Sequence, residues 1–538
     1  MKKRVLSIVA GVSMLSAICL SAVGCSRNLD PDGYKEVAGK TNISIGTYNG
    51  GVGLPWLEEA AKRFEDAYAN VSFEDGKTGV ALHVMDAKTG VNLEHGSLDR
   101  DVFFTESVDY FTFVGQEGKL ADISDVVKAD LSGLGDSGTI EDKLDPSLVE
   151  FLTAKDGKYY ALPFYDGIYG ILYDVDMFAK KGWFLDESGG FTRTNKSKGI
   201  DGVAGTYDDG LPRTYEEFGR LVNKVRTDGV TPFVYAEESM PYFNNLIANF
   251  WADYEGKDKM QRNWSLSGEI DIVTGFSGST PNIGTATVNG ESNYTELQKQ
   301  PGKYYALKFL KDVMMSNGQN YKSATDFQSA QYQFLRSLFA DENPVAMIVE
   351  GAWFENEAEM SEGYELAAME DLSYDWSKDY KLTRKVGFMP IPMVDDTASG
   401  THKQTLLSTN ESFCFVRGST TGAKLEVAKE FVKFVHTNSE LAAFTAKTSI
   451  TRPFDYSTES VKNNMSYFGR TLMEIKQSSN IVYPYSNNAY YVAHSEQFKF
   501  GEWGWKGHVA GDLVTNAFDY FRMHSDKTAM DYFNGLGK

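Results

Sequence analysis

The stretch Gly157–Trp183, GKYYALPFYDGIYGILYDVDMFAKKGW, constrains this chain more than any other. It holds two strand-like runs, 159–162 and 168–173, parted by Pro163 and Gly167 and followed by a short helical piece from Met177 to Lys181. A strand pair broken by Pro and Gly reads as a bend or hinge. At the bend sit Phe164, Tyr165 and Asp166, an aromatic pair and a carboxylate placed where side chains face a cleft instead of a packed core. The competing reading of these residues alone is an ordinary β-turn with surface aromatics.

The rest of the chain supplies the layers such a bend would join. A short alternating strand, 41–45, leads through the Gly-containing loop 46–51 into a helical pattern from Trp56 to Tyr68. Its apolar face is Trp56, Leu57, Ala60, Ala61, Phe64 and Tyr68. Strand-like runs recur at 80–84 and 102–104, as expected of an α/β layer. Ligands in such layers favour the carboxyl ends of strands, which places Asn49 after the first strand and Glu106 and Asp109 after the run 101–105 near one mouth. The Asp/Gly-rich stretch from 120 to 145 reads as a surface excursion. Between 201 and 210, Asp201, Asp208 and Asp209 concentrate carboxylates on a Gly-permitted turn, so either a calcium site or an ordinary Asx-rich loop is expected there. Thr214 and Glu217 have the spacing of a capping box opening a helix. Residues 255–300 show little apolar periodicity and read as loops and irregular insertions. Helices are expected over 304–315, 324–339 and 424–436, and strands over 344–353, 386–392 and 411–416.

The N-terminus gives an address. Lys2, Lys3 and Arg4 precede a mostly apolar run from Val5 to Val23, the pattern of a secretory signal, and Ser21-Ala22-Val23-Gly24-Cys25 resembles a bacterial lipobox. Residues 1–24 are therefore read as a signal peptide, Cys25 as the lipidated residue, and 25–40 as a lipid-anchored tether, with plain secretion and cleavage near Ala22 as the alternative. Loss of the three basic residues moves the net charge from -21 to -24. No basic stripe is available to neutralise phosphates, which argues against nucleic acid, and no second apolar run reaches the roughly 18 residues of a membrane span. With Cys19 in the signal and Cys25 lipidated, Cys414 has no disulfide partner and is expected to be a buried small apolar residue.

No HExxH, GxSxG, Walker loop or GxGxxG at a strand-to-helix turn occurs, and with 74 Asp and Glu no carboxylate pair stands out for glycosidase roles. What does stand out is an aromatic content of 13%, grouped with Asn, Asp and Glu in Gly-bounded segments. A sugar has apolar CH faces and a hydroxyl rim, which an aromatic face beside carboxylates and amides satisfies together. Tyr165 with Asp166, Tyr242 with Asn245, Glu350 with Trp353, and Trp503 with Trp505 are such groups. Each taken singly is also consistent with core packing.

Six segments in order resemble the extracellular solute-binding proteins of ABC importers, in the carbohydrate-binding group typified by maltose-binding protein. GKYYALPFYDGIYGILYDVDMFAKKGW is similar to the family's GKxYALPF…LxYNKDLFEKAG, PRTYEEF to P-x-T-W-D-E-F, and PVAMIVEGAWF to A-A-M-x-x-x-G-x-W. MPYFNNLIANF, VGFMPIPM and AKEFVKFVHTNSELAAFTAKTSITRPF follow the family order. The resemblance implies an α/β, two-lobe periplasmic-binding-protein-like fold (type II) with a hinge and an interlobe ligand cleft. Lobe one would comprise residues 41–163 and 408–450, and lobe two 167–405 and 451–538. By the same resemblance Tyr242 and Trp353 match sugar-stacking positions, Trp503 and Trp505 lie near another, Asn49 and Asp109 fall in loops giving polar contacts, and Arg452 belongs to the last matching segment. The function implied is capture of an oligosaccharide by a monomer outside the cell and its delivery to an importer permease. A secreted glycan-active enzyme and a surface sensor or adhesin of the same fold are the alternatives.

Overall fold

The computed structural model describes residues 34–86, 98–105, 118–239, 241–339, 342–369, 373–395, 402–409, 412–498, 503–509 and 511–538. In chain order the strands used below are β1 (Thr41–Thr47), β2 (Val80–Asp86), β3 (Val102–Thr105), β4 (Leu162–Pro163), β5 (Tyr169–Asp174), β6 (Thr231–Ala236), β7 (Ser267–Ser277), β8 (Thr280–Asn289), β9 (Tyr321–Ala324), β10 (Val345–Gly351), β11 (Val386–Phe388), β12 (Thr405–Leu407), β13 (Phe413–Val416) and β14 (Asn480–Val482). The helices are α1 (Pro55–Ala67), α2 (Tyr215–Thr227), α3 (Pro241–Ser265), α4 (Pro301–Lys308), α5 (Phe327–Phe339), α6 (Phe354–Met360), α7 (Gly422–Phe434), α8 (Asn438–Thr448) and α9 (Tyr467–Ser478).

Two five-stranded sheets organise two lobes. The first has the order β2-β1-β3-β13-β4, with β1 parallel to both β2 and β3, and β13 antiparallel to β3 and β4. The second has the order β9-β6-β10-β5-β11, parallel from β9 to β10 and antiparallel where β5 meets β10 and β11. Parallel neighbours need a crossover, and α1 supplies the one between β1 and β2. Pro55 opens α1 at a position where its missing N–H costs nothing, and Trp56, Leu57, Ala60, Ala61 and Phe64 are buried as the periodicity predicts. The Trp56 ring packs edge-on against Phe104 and Phe444 and tilted against Phe164, at 5.2, 4.9 and 5.4 Å. Cys414 is a free, fully buried thiol in β13, between Phe413 and Phe415.

The bend at Pro163–Gly167 is one of three segments lying side by side between the sheets. Phe164 N–H donates to Ser412 O at 3.0 Å, Asp166 N–H to Thr451 O at 2.9 Å, and Thr409 N–H to Gly167 O at 2.9 Å. The segment 164–168, which runs from one sheet to the other, is thus flanked by residues 408–409 and 412 on one part of the chain and 451–452 on another, both tied to it by backbone bonds that need no particular side chain.

Two expectations need correction. Residues 255–300 are not irregular: α3 extends to Ser265, and β7 and β8 form a long antiparallel hairpin with a bulge near Asn282–Ile283. Only Ile270, Val273, Pro281 and Val288 of that ribbon are buried, so a mostly solvated two-stranded element leaves little apolar alternation to read. The 120–145 stretch is not a surface excursion throughout, since Ile123, Leu131 and Ile140 are fully buried. Half of the capping box forms. Thr214 Oγ1 accepts from Glu217 N–H at 3.2 Å, while the Glu217 carboxylate accepts from the Arg213 backbone and guanidinium at 2.7 Å.

Candidate functional site

Antiparallel pairing of β5 with β10 sets Tyr169 opposite Gly351 and Gly170 opposite Glu350. After β10 the chain turns so that the Trp353 ring lies on Gly351. A Cβ there would be 2.3 Å from the indole, so only glycine admits this approach. The first turn of α3 brings in Tyr242. Tyr169 meets Trp353 edge-on at 4.8 Å and Tyr242 at 5.0 Å, and Tyr242 and Trp353 are 6.1 Å apart, so three rings form one wall. Trp353 is 5% exposed, and Tyr169 and Tyr242 are half-buried. Asn249, two turns along α3, fixes the wall from behind: its amide donates to Tyr169 O at 2.6 Å and its oxygen accepts from Leu407 N–H of β12 at 2.7 Å.

Beside the rings stand two carboxyls. Gln331 of α5 donates from one nitrogen to Glu350 at 3.0 Å and to Glu357 of α6 at 3.1 Å. Burial, and then repulsion from Glu357, pushes the Glu350 carboxyl well above the usual range, and burial pushes Glu357 up to about 7. Neither has a Lys or Arg ion-pair partner among the described residues, so the pair retains a proton to near neutrality. Next to Glu357, Asn356 donates to Gly51 O at 3.0 Å and Val52 O at 2.5 Å. Gly51 and Val52 lie in the loop that follows β1, so the first lobe reaches the second at this cluster. The arrangement sets apolar ring faces against carboxyl and amide hydrogen-bonding groups at the seam between lobes, the chemistry a sugar ring requires.

The structure thus brings together Tyr242, Glu350 and Trp353 of the residues singled out from sequence, with Asn49 exposed on the β1 loop and its N–H donating to Asp86 at 3.3 Å. Asn245 is half-buried on α3. Tyr165 is buried edge-on against Phe164 at 5.2 Å, in the first crossing segment. Asp166 is also fully buried there. It pairs with Lys476 of α9 at 3.0 Å and accepts from Thr451 Oγ1 at 2.8 Å and Tyr483 OH at 3.3 Å. Arg452 is fully buried too. It donates to Phe164 O at 2.7 Å and Val435 O at 3.0 Å, and its remaining nitrogen lies 2.8 Å from His436 Nε2, so its guanidinium presents no surface to a ligand. Trp505 is fully buried, its N–H donating to Asn244 O at 2.9 Å, and Trp503 packs against Phe498 at 4.9 Å. Glu106, Asp109 and Cys25 lie outside the described residues.

In the 201–210 loop the hydrogen bonds are those of an Asx-rich turn. Among the described residues no group of three His, Cys, Asp or Glu could hold a metal ion. The loop carboxylates accept from their own turn instead: Asp208 from Ile200 and Asp201 N–H at 2.6 and 3.0 Å, Asp209 from Gly205 N–H at 2.7 Å, and Asp201 from Val203 N–H at 2.7 Å. Sequence reasoning missed Tyr169, Gln331, Asn356 and Glu357. Tyr169 stands inside the stretch that bends, two residues after Gly167, which was a usable signal; Gln331 and Glu357 sit on helices whose relation to β10 is purely tertiary.

Residues 50–440 match the profile of a bacterial extracellular solute-binding protein family. No curated protein matches the chain. Among solved structures, the chain is similar to a chitin oligosaccharide binding protein at 14% identity over 91% of this chain and 99% of that one, with a TM-score of 0.49. It is similar to RafE from Streptococcus pneumoniae at 14% identity over 87% and 97%, TM-score 0.48. It is also similar to a Thermus thermophilus maltotriose binding protein at 16% identity over 91% and 99%, TM-score 0.46.

Proposed function

Because the chain belongs to the bacterial extracellular solute-binding protein family, we propose that it captures a sugar, in particular an oligosaccharide, at the seam between its lobes and hands it to an ABC importer permease. The observation that carries the sugar reading is the wall of Tyr169, Tyr242 and Trp353 beside Gln331, Glu350 and Glu357. Stacking on the rings and hydrogen bonds to the rim would favour the state in which both lobes hold the ligand, so binding and closure form one linked equilibrium. The three crossing segments would serve as the hinge, with residues 41–163 and 408–450 in one lobe and 167–405 and 451–538 in the other. Cleavage at the lipobox and lipid on Cys25 would hold the protein at the outer face of the membrane through the 25–40 tether. Among the described residues no helix is long and apolar enough to cross a membrane. An affinity of about 0.1–10 μM would suit capture and release.

The test is a thermal-shift screen of residues 27–538 against mono- and oligosaccharides, followed by calorimetric titration and a product assay on each hit. A sugar that raises the melting temperature and is recovered intact supports the proposal. A sugar that is consumed, or a panel without a hit, refutes it.

A further inference from the structure

A cavity of about 320 Å³ lies in lobe two away from the ring wall. It is lined by Tyr215 of α2, Phe250, Asp253 and Tyr254 of α3, Tyr305 of α4 and His402, and is closed on one side by the segment 392–395. Tyr254 stands twelve residues beyond Tyr242 on α3, which at 1.5 Å per residue is about 18 Å along the helix. The two sites are therefore separate. Tyr254 and Tyr305 stack at 4.8 Å with 28° between their planes, and Tyr254 is 40% exposed, so the pair forms an aromatic face at the cavity mouth. Tyr215 and Phe250 continue the apolar lining, with ring centres 5.9 Å apart.

The polar end is built as firmly. His402 Nε2 lies 2.9 Å from both oxygens of Asp253, whose Oδ1 also accepts from Thr405 N–H at 2.9 Å. The bond to Asp253 raises the His402 pKa, and burial raises that of Asp253. An aromatic face beside the His402–Asp253 pair, with the Asp395 carboxylate also in the lining, suits a ring that is apolar on its faces and hydroxylated at its edge. A volume near the lower limit of small-molecule sites admits a ring or two, not a whole chain.

We infer that this cavity is a second carbohydrate site, which takes a pyranose unit of a surface or environmental polysaccharide and holds the protein on it while the interlobe seam stays free for the transported ligand. The inference stands on Tyr215, Tyr254, Tyr305, Asp253 and His402, none of which belongs to the ring wall.

Affinity electrophoresis of the protein in native gels containing starch, dextran, xylan, glucomannan or galactan tests it. At least one polysaccharide should retard the wild type and Trp353→Ala alike, and Tyr254→Ala/Tyr305→Ala should weaken that retardation about tenfold or more, the loss of two stacking faces. Tyr305→Phe, which keeps the ring, should retain it. Melting curves establish that each variant is folded, and the single Tyr254→Ala, at a partly exposed position, serves if the double variant is not. Retardation by none of the polysaccharides, retardation that ignores both tyrosines, or retardation lost only with Trp353→Ala would overturn the inference. So would a cavity that responds to choline, followed by NMR of the protein, and to no polysaccharide. None of these results depends on whether an oligosaccharide binds at the ring wall, which calorimetry on Tyr254→Ala/Tyr305→Ala reads separately.

Discussion

Two buried polar clusters sit at the junction of the lobes, and they are built to opposite rules. Around Asp166 and Arg452 every charge is answered: Asp166 by Lys476, Thr451 and Tyr483, and Arg452 by two carbonyls and His436 inside a cage of Phe164, Phe444 and Phe454. Around Glu350 and Glu357 no Lys or Arg answers the carboxyls among the described residues: the Gln331 amide donates to both, Gly351 N–H donates to Glu350 at 3.2 Å, burial disfavours the charge on both, and half-buried rings stand alongside. A network in which charges are paired rigidifies; carboxyls that hold a proton beside aromatic faces can both donate and accept hydrogen bonds. The first cluster is thus fitted to hold the crossing segments, while the second keeps two raised carboxyls beside the rings of Tyr169, Tyr242 and Trp353.

The largest effect should come from breaking the satisfied cluster. Arg452→Leu strands the Phe164 and Val435 carbonyls, and Asp166→Ala leaves the Lys476 ammonium without its ion-pair partner. Either should cost about 3–5 kcal/mol, read from denaturant midpoints. Trp353→Ala removes the centre of the ring wall and should weaken oligosaccharide binding about 100-fold in calorimetry, while lowering the melting temperature less than Arg452→Leu does.

A third prediction separates the clusters by pH. Glu357 has a folded-state pKa of about 7, above its unfolded value, and Glu350 is raised as well. A raised carboxyl contributes stability that is fully present below the unfolded pKa of about 4.5 and is lost as pH rises through the folded value. Stability from this pair should therefore fall between about pH 4.5 and 7. Glu255 and Asp174, raised by burial to about 8 and about 7, act in the same direction, so the informative quantity is a difference. Glu350→Gln should be more stable than the wild type by about 1–3 kcal/mol at pH 7.5, with the gap closing near pH 4.5. The smallest effect belongs to the Asp201–Asp209 loop. Chelation or added calcium should move the melting temperature by less than the equivalent of about 0.5 kcal/mol, because these carboxylates are occupied by their own backbone.

The same contrast explains what could be read from the chain alone. The α/β class and the bend at Pro163–Gly167 were legible because Trp56–Phe64 carries a helical period and Pro and Gly break strands for local reasons. Trp353 and Tyr242 stood out as aromatics beside Glu350 and Asn245. Arg452 was singled out only as part of the last segment matching the family, and its bonds to Phe164 O and Val435 O show it to be part of a built structural network. The β7–β8 hairpin escaped because a ribbon with solvent on most of its positions needs few apolar residues, and Gln331 because its place between two carboxyls is made by packing α5 and α6 against β10.

The most direct test of the central claim is calorimetric titration of the wild type and Trp353→Ala with the oligosaccharide that most raises the melting temperature. One tight event per chain is expected in the wild type, lost or weakened about 100-fold in the variant while the fold persists. Equal affinity in the two folded proteins would contradict it and would move the ligand away from the wall of Tyr169, Tyr242 and Trp353.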